Sequence, residues 1–153
     1  MENRYLFRGK RIDNGKLVVG SLIENVFFRL GQSIPYILCP DKADYDCFED
    51  FTEENGIFEV APSTVCQCTG LKDKNGKLIW ENDIVNGSAK RGAAFYRCLV
   101  LWNECKARFD VRNMDCNFPM TLDECADDIS MSGFDYEVVG NKFDNPELLE
   151  VQS

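Results

Sequence analysis

Cys66-Gln67-Cys68 is the closest thiol pair in the chain, and thiol chemistry is the first kind to test for. Residues two apart on a strand face the same way, so both sulfurs would meet one partner or one core. A structural zinc site wants paired Cys-x-x-Cys elements, and no second close pair follows, so two strand thiols are the plainer reading. The acids Asp41, Asp44, Asp46, Glu49 and Asp50 suggest calcium, but the run lacks the glycine and closing glutamate of an EF-hand loop. It reads as a solvated acidic surface. Gly9-Lys10 and Gly76-Lys77 are turn residues, because no Gly-rich strand-to-helix junction surrounds them. Asp144-Asn145-Pro146-Glu147 reads as a helix start, with Asn as N-cap and Pro at the first position. The chain contains no histidine. That removes Ser-His and Cys-His nucleophile pairs, imidazole metal ligands and the usual neutral-pH proton shuttle. No catalytic residue, metal or cofactor is assigned.

Those residues belong to a chain of 153 with ordinary globular composition, 44% hydrophobic and 28% charged. The length suits one domain, or two small subdomains of about residues 1–62 and 63–153. A chain this long buries roughly 70% of its unfolded surface and needs no disulfide staple. The eight cysteines (Cys39, Cys47, Cys66, Cys68, Cys98, Cys105, Cys116 and Cys125) are accordingly expected to be reduced, since no apolar leader precedes them. No run is apolar enough for a signal peptide or a membrane span. The net charge is −9, in alternating blocks. Residues 1–38 carry six Lys/Arg against three Asp/Glu, and residues 39–62 one against eight. Residues 63–112 carry nine against five, and residues 113–153 one against ten. An acidic total opposes general binding to nucleic acid or anionic membrane, both of which need clustered cations.

The elements that would position these residues are strands. Tyr5–Ile12 and Lys16–Ile23 form a hairpin around Asp13-Asn14-Gly15, whose Asn-Gly pair supplies positive φ angles. Val26–Leu30 and Tyr36–Leu38 read as a further strand pair. Residues 40–56 form an acidic loop or short helix, and Ile57–Val60 a strand. A second Asn-Gly hairpin turns at Asn75-Gly76, followed by the strand Asp83-Ile84-Val85 and a loop over 86–92. Ala94–Trp102 and Lys106–Arg112 are strands joined at Asn103-Glu104-Cys105. Thr121 and Glu124 fit a capping box, which predicts a short helix over 121–128. Tyr136–Phe143 is the last strand.

Three blocks in this order resemble the YopX family of phage and prophage proteins. They are Phe7-Arg8-Gly9-Lys10-Arg11-Ile12-Asp13-Asn14-Gly15; then Thr69-Gly70-Leu71-Lys72-Asp73-Lys74-Asn75-Gly76-Lys77 running on to Glu81 and Asp83-Ile84-Val85; then Tyr136-Glu137-Val138-Val139-Gly140-Asn141 with Asp144-Asn145-Pro146-Glu147-Leu148-Leu149. Cys68 stands where the family has an aromatic, and Asn82 where it has Gly. Asn is the next-best residue for a positive φ, so that turn should survive. The resemblance implies a mainly β fold, all-β or α+β with short helices. It implies an N-terminal hairpin region and a C-terminal barrel-like, SH3-like part. It implies a phage or prophage origin and the cytoplasm of a bacterial host. It transfers no catalytic residue.

Two functional readings follow, neither of them enzymatic. In the first, a host or phage protein docks on the acidic segment through Asp41, Asp44, Tyr45, Asp46, Phe48, Glu49, Asp50 and Phe51. Aromatic anchors and steering charge there suit a basic partner, including a host defence protein. In the alternative, a β-barrel binds nucleic acid through Lys72, Lys74, Lys77, Lys90, Arg91 and Arg97 with Trp80 and Phe95. Assembly into a homo-oligomer is the structural reading beside both.

Overall fold

The computed structural model describes residues 5–24, 28–29, 32–39, 56–89, 95–115, 119–122 and 134–150. The chain divides into two compact units, Met1–Cys68 and Thr69–Ser153.

In the first unit, β1 (Phe7–Lys10) and β2 (Leu17–Ile23) form the expected hairpin, with Lys10 opposite Leu17 and Arg8 opposite Val19. Of the Asn14-Gly15 pair only Gly15 takes a positive φ, +69°. Asn14 instead folds its side-chain carbonyl onto the Lys16 N–H at 2.9 Å. The short strands β3 (Phe28–Arg29) and β4 (Gln32–Ser33) pair with each other. The expected partnership of residues 26–30 with Tyr36–Leu38 is therefore corrected. The latter is β5, which pairs with β2 on one side and β6 (Ile57–Glu59) on the other. Behind β1 pack Ile37, Phe58 and Val60, all buried. Val60 lies so close that a Cβ on Gly9 would sit 3.0 Å from its own. A 3-10 turn, Pro62–Thr64, closes the end of β1, where the Thr64 hydroxyl accepts the Lys10 N–H at 2.9 Å. β7 (Cys66–Lys72) begins beside β1 and runs on into the second unit.

In the second unit, β7 turns into β8 (Leu78–Trp80), and a five-stranded sheet follows. Its strands are β9 (Asp83–Ala89), β10 (Phe95–Asn103), β11 (Arg108–Asn113), β12 (Pro119–Thr121) and β13 (Phe134–Asn141). They lie in the order β12-β11-β10-β9-β13. Val85, Cys98, Val100, Val111, Leu122 and Tyr136 form the core with Ile79 of β8. The alternation of β10 delivers this directly, because Cys98 and Val100 face inward on a period of two.

The barrel expected for the C-terminal part is not there. The sheet is open, with β12 and β13 as its two edges and no pairing between them. Its β13 edge is finished by a turn and a side chain, described below, where a barrel would use another strand. No α-helix occurs among the described residues, which hold only 3-10 turns such as Pro62–Thr64 and Pro146–Leu149. Thr121 closes β12, and residues 123–128 of the expected helix lie outside the described residues. Asn86-Gly87-Ser88, expected as loop, is the middle of β9. Gly87 sits there because the Tyr136 ring crosses it, and a Cβ at that position would lie 2.8 Å from Tyr136 Cε1.

Gly87→Ala should therefore push that ring out of place and destabilise the protein by about 1–3 kcal/mol, read as a lower urea midpoint.

Candidate functional site

The residues of the second and third sequence blocks converge on the β7–β8 turn and the edge of β13. In that turn only Gly76 is left-handed, at φ +82°. Its N–H reaches the Asp73 carbonyl at 2.9 Å, and the Asp73 N–H reaches the Lys77 carbonyl at 2.8 Å. One oxygen of the Asp73 carboxylate accepts the N–H groups of Asn75 and Lys77, each at 2.9 Å. The other accepts the N–H of Val138, 65 residues later, at 3.0 Å. Alongside, the Lys74 N–H donates to the Tyr136 carbonyl at 2.9 Å, and the Lys74 ammonium pairs with Glu137 at 2.6 Å. The turn thus satisfies two outward-facing groups of β13, the Tyr136 carbonyl and the Val138 N–H, as a neighbouring strand would.

Burial by itself pushes the Asp73 carboxyl up. The N–H groups of Val138, Lys77 and Asn75, helped by the Lys77 charge, outweigh it and hold the pKa below the ordinary 3.8. The hydrogen bond from Lys74 to Glu137 raises the lysine's pKa, so it stays charged.

The other motif residues do similar work. Asn82 takes φ +64°, the positive angle expected where the family has glycine. Its N–H donates to the Val100 carbonyl and its carbonyl accepts the Lys142 N–H. Asp83, fully buried, accepts the Trp80 N–H at 2.9 Å. β13 carries an irregularity between Val138 and Gly140. Gly140 leaves room there for the Asn145 side chain, which a Cβ would run into. Asn141 folds its carbonyl back onto the N–H groups of Phe143 and Asp144, both at 3.0 Å. Asn145 does not cap the terminal 3-10 turn with its side chain, as the sequence suggested. That carbonyl reaches back to the Asn141 N–H at 3.4 Å.

A model of the YopX protein family matches residues 7–150, so it spans all three blocks and the hydrogen bonds that join the last two. The chain belongs to the YopX phage/prophage protein family. No curated protein matches it.

The YopX residues singled out for function are distributed as follows. Asp41, Asp44, Tyr45, Asp46, Phe48, Glu49, Asp50 and Phe51 lie outside the described residues, as do Lys90 and Arg91. Lys72, Lys74 and Lys77 are exposed together on the β7–β8 hairpin. Arg97 stands apart on β10, half-buried, with its guanidinium 3.5 Å from the Leu148 carbonyl of the terminal turn. Trp80 is buried, and so not placed to stack on a base. Cys66 and Cys68 are buried, unbridged thiols, with Cys66 Sγ 3.4 Å from the Thr64 carbonyl. Among the described residues no group of His, Cys, Asp or Glu is arranged to hold a metal ion, and no helix is long and apolar enough to cross a membrane. On the outer face of β10 and β11 lies a shallow groove of about 350 Å³, lined by Leu101, Asn103, Asp110, Arg112 and Pro119 among others. Its buried carboxylate is already matched, since Asp110 accepts from Asn103 Nδ2 at 2.6 Å and Arg108 Nε at 2.8 Å.

Asp73, Asp83 and Asn141 carry this network, and none was read from the sequence as a structural acceptor. An Asp two residues before Asn-Gly is the available signal, because Asx side chains bond their own backbone two residues on.

Asp73→Asn should lower stability at pH 7 by about 1–3 kcal/mol, because an amide offers one acceptor where three N–H groups converge. The folded pKa lies below 3.8, so the wild-type advantage is complete above that value and fades as pH falls through the folded value. Urea unfolding at pH 7 and at pH 3 should show the gap between the two proteins narrowing in acid.

Proposed function

We propose that this YopX protein is a non-enzymatic phage accessory protein that works by binding another protein. The observation that carries the reading is the use made of its reactive groups. The carboxylates of Asp73, Asp83 and Asp110 are buried and engaged with N–H donors of the fold. The thiols of Cys66, Cys68 and Cys98 are buried too; Cys39 is half-buried and Cys105 exposed, and no histidine exists to activate either. Chemistry on a bound substrate needs an accessible nucleophile or base, whereas binding needs only a surface.

The partner surface in this reading is the acidic segment with Tyr45, Phe48 and Phe51 among Asp41, Asp44, Asp46, Glu49 and Asp50. Its charge would steer a basic partner, with a nucleic-acid-binding host defence protein as the sharpest version. The nucleic-acid reading is the weaker one, since Trp80 is buried and Lys74 is paired with Glu137.

A pull-down from host lysate after nuclease treatment tests it. Neutralising Asp44, Asp46, Glu49 and Asp50 together should cut retention of the partner about tenfold or more. Unchanged retention would sink the acidic-surface reading.

A further inference from the structure

The outer face of β10 and β11 carries three arginines against one aspartate. Residues two apart on a strand share a face, and so do residues paired directly across it. Arg97 and Leu99 of β10 therefore share the outer face with Arg112, which the register sets opposite Leu99. Arg97 lies diagonal to Arg112, a separation of about 7–8 Å that long side chains bridge. The remaining pair on β11 is self-contained, because the Asp110 carboxylate is taken by Arg108 and Asn103. Arg112 is exposed, and its guanidinium bonds to no described residue. Arg97 is half-buried, with its Nε buried and unpartnered. The only bond of its side chain among the described residues is the long one to the Leu148 carbonyl, at 3.5 Å. Opposite Arg97 on β9 stands Asn86, a half-buried carboxamide that also bonds to no described residue. Glu137, next in that row on β13, is already held by Lys74. Two guanidiniums and an amide thus meet on one face with no carboxylate to answer them.

We infer that Arg97 and Arg112, with the Asn86 amide beside them, form a phosphate site on the outer face of the second unit, and that its ligand is a small phosphorylated molecule. A guanidinium fork matches phosphate oxygens in shape, and two forks match the nearly double charge of a phosphate monoester. The groove supplies room for the rest of the molecule. Arg112 lines its wall with Leu101 and Pro119, and its volume of about 350 Å³ suits a small ligand. Glu104 also lines the groove, but at the hairpin turn, more than four positions along the strand from Arg112. That is at least about 13 Å, beyond the roughly 8 Å over which charge acts at physiological salt. A nucleic acid is not favoured, because it would extend past two cations across a protein of net charge −9. The site stands beside the protein-binding reading and does not depend on it.

The test follows the arginine Nε–Hε NMR signals of the purified chain as phenyl phosphate, inorganic phosphate or a single-stranded oligonucleotide is added, with ionic strength held constant by chloride. Expected are saturable shifts of the Arg97 and Arg112 signals with both phosphates. Phenyl phosphate should bind about tenfold tighter than inorganic phosphate, since its ring occupies the groove. Arg112→Gln and Arg97→Gln should each weaken phenyl phosphate about tenfold or more, and Lys72→Gln, on the β7–β8 hairpin, should leave it unchanged. Arg112 is exposed, so its variant keeps the fold and the test stands even where Arg97→Gln unfolds. Shifts that fail to saturate, affinity unmoved by Arg112→Gln, equal affinity for the two phosphates, or tighter Arg112-dependent binding of the oligonucleotide would each overturn the inference. None of these outcomes touches the acidic-segment pull-down, so the two readings fail separately.

Discussion

A single carboxylate receiving three backbone N–H groups organises the second unit. Asp73 shapes its own turn through Asn75 and Lys77 and binds β13 through Val138. An open sheet otherwise presents a row of unpaired groups at each edge, which invites pairing with other chains. Here the β13 edge meets a turn whose geometry is set from within. The low pKa of Asp73 follows from the same three donors, which keep the carboxylate charged despite burial. Asp83 repeats the device on the Trp80 N–H of β8. In Asp73 the buried charge is made tolerable by charge-assisted bonds to the backbone.

Much of this fold was legible because period-two patterning and turn chemistry are local. The first hairpin, β6, β10, β11 and the terminal turn fall close to where alternation and Gly, Asn and Pro put them. Asn82 was readable as a left-handed residue because it stands where the family has Gly, and Asn adopts that angle more cheaply than most residues. Asn86-Gly87-Ser88 misled because its composition is that of a loop, while its glycine answers to a tyrosine ring supplied by β13. The partner of Tyr36–Leu38 was misjudged for a similar reason, since pairing with β2 and β6 is a choice between distant strands of like composition. The barrel failed as an expectation because whether a sheet closes depends on what meets its edges, and Asp73 looks in sequence like an ordinary turn residue.

The same distinction governs the site. The last two of the blocks that identify the YopX family turn out to be mutually hydrogen-bonded scaffold, joined at Asp73–Val138 and beside them at Asn82–Lys142. Turn residues within them needed no functional explanation. What sets this sequence apart outside those blocks is charge, most of all the run of acids after Leu38. Surface loops tolerate such change without disturbing a fold.

The reach of the Asp73–Val138 bond also sets an order in time. β13 follows every other described strand in the chain, yet it lies against β9 and is bonded by a turn made 65 residues earlier. The ladder of β1, β2, β5 and β6 needs only residues from the first 59 positions and can assemble while translation continues. The five-stranded sheet is complete only once residues 134–141 have left the ribosome. Until then β9 has β10 on one side and lacks its other neighbour, and the β7–β8 turn lacks the Val138 N–H and Tyr136 carbonyl that it will bond.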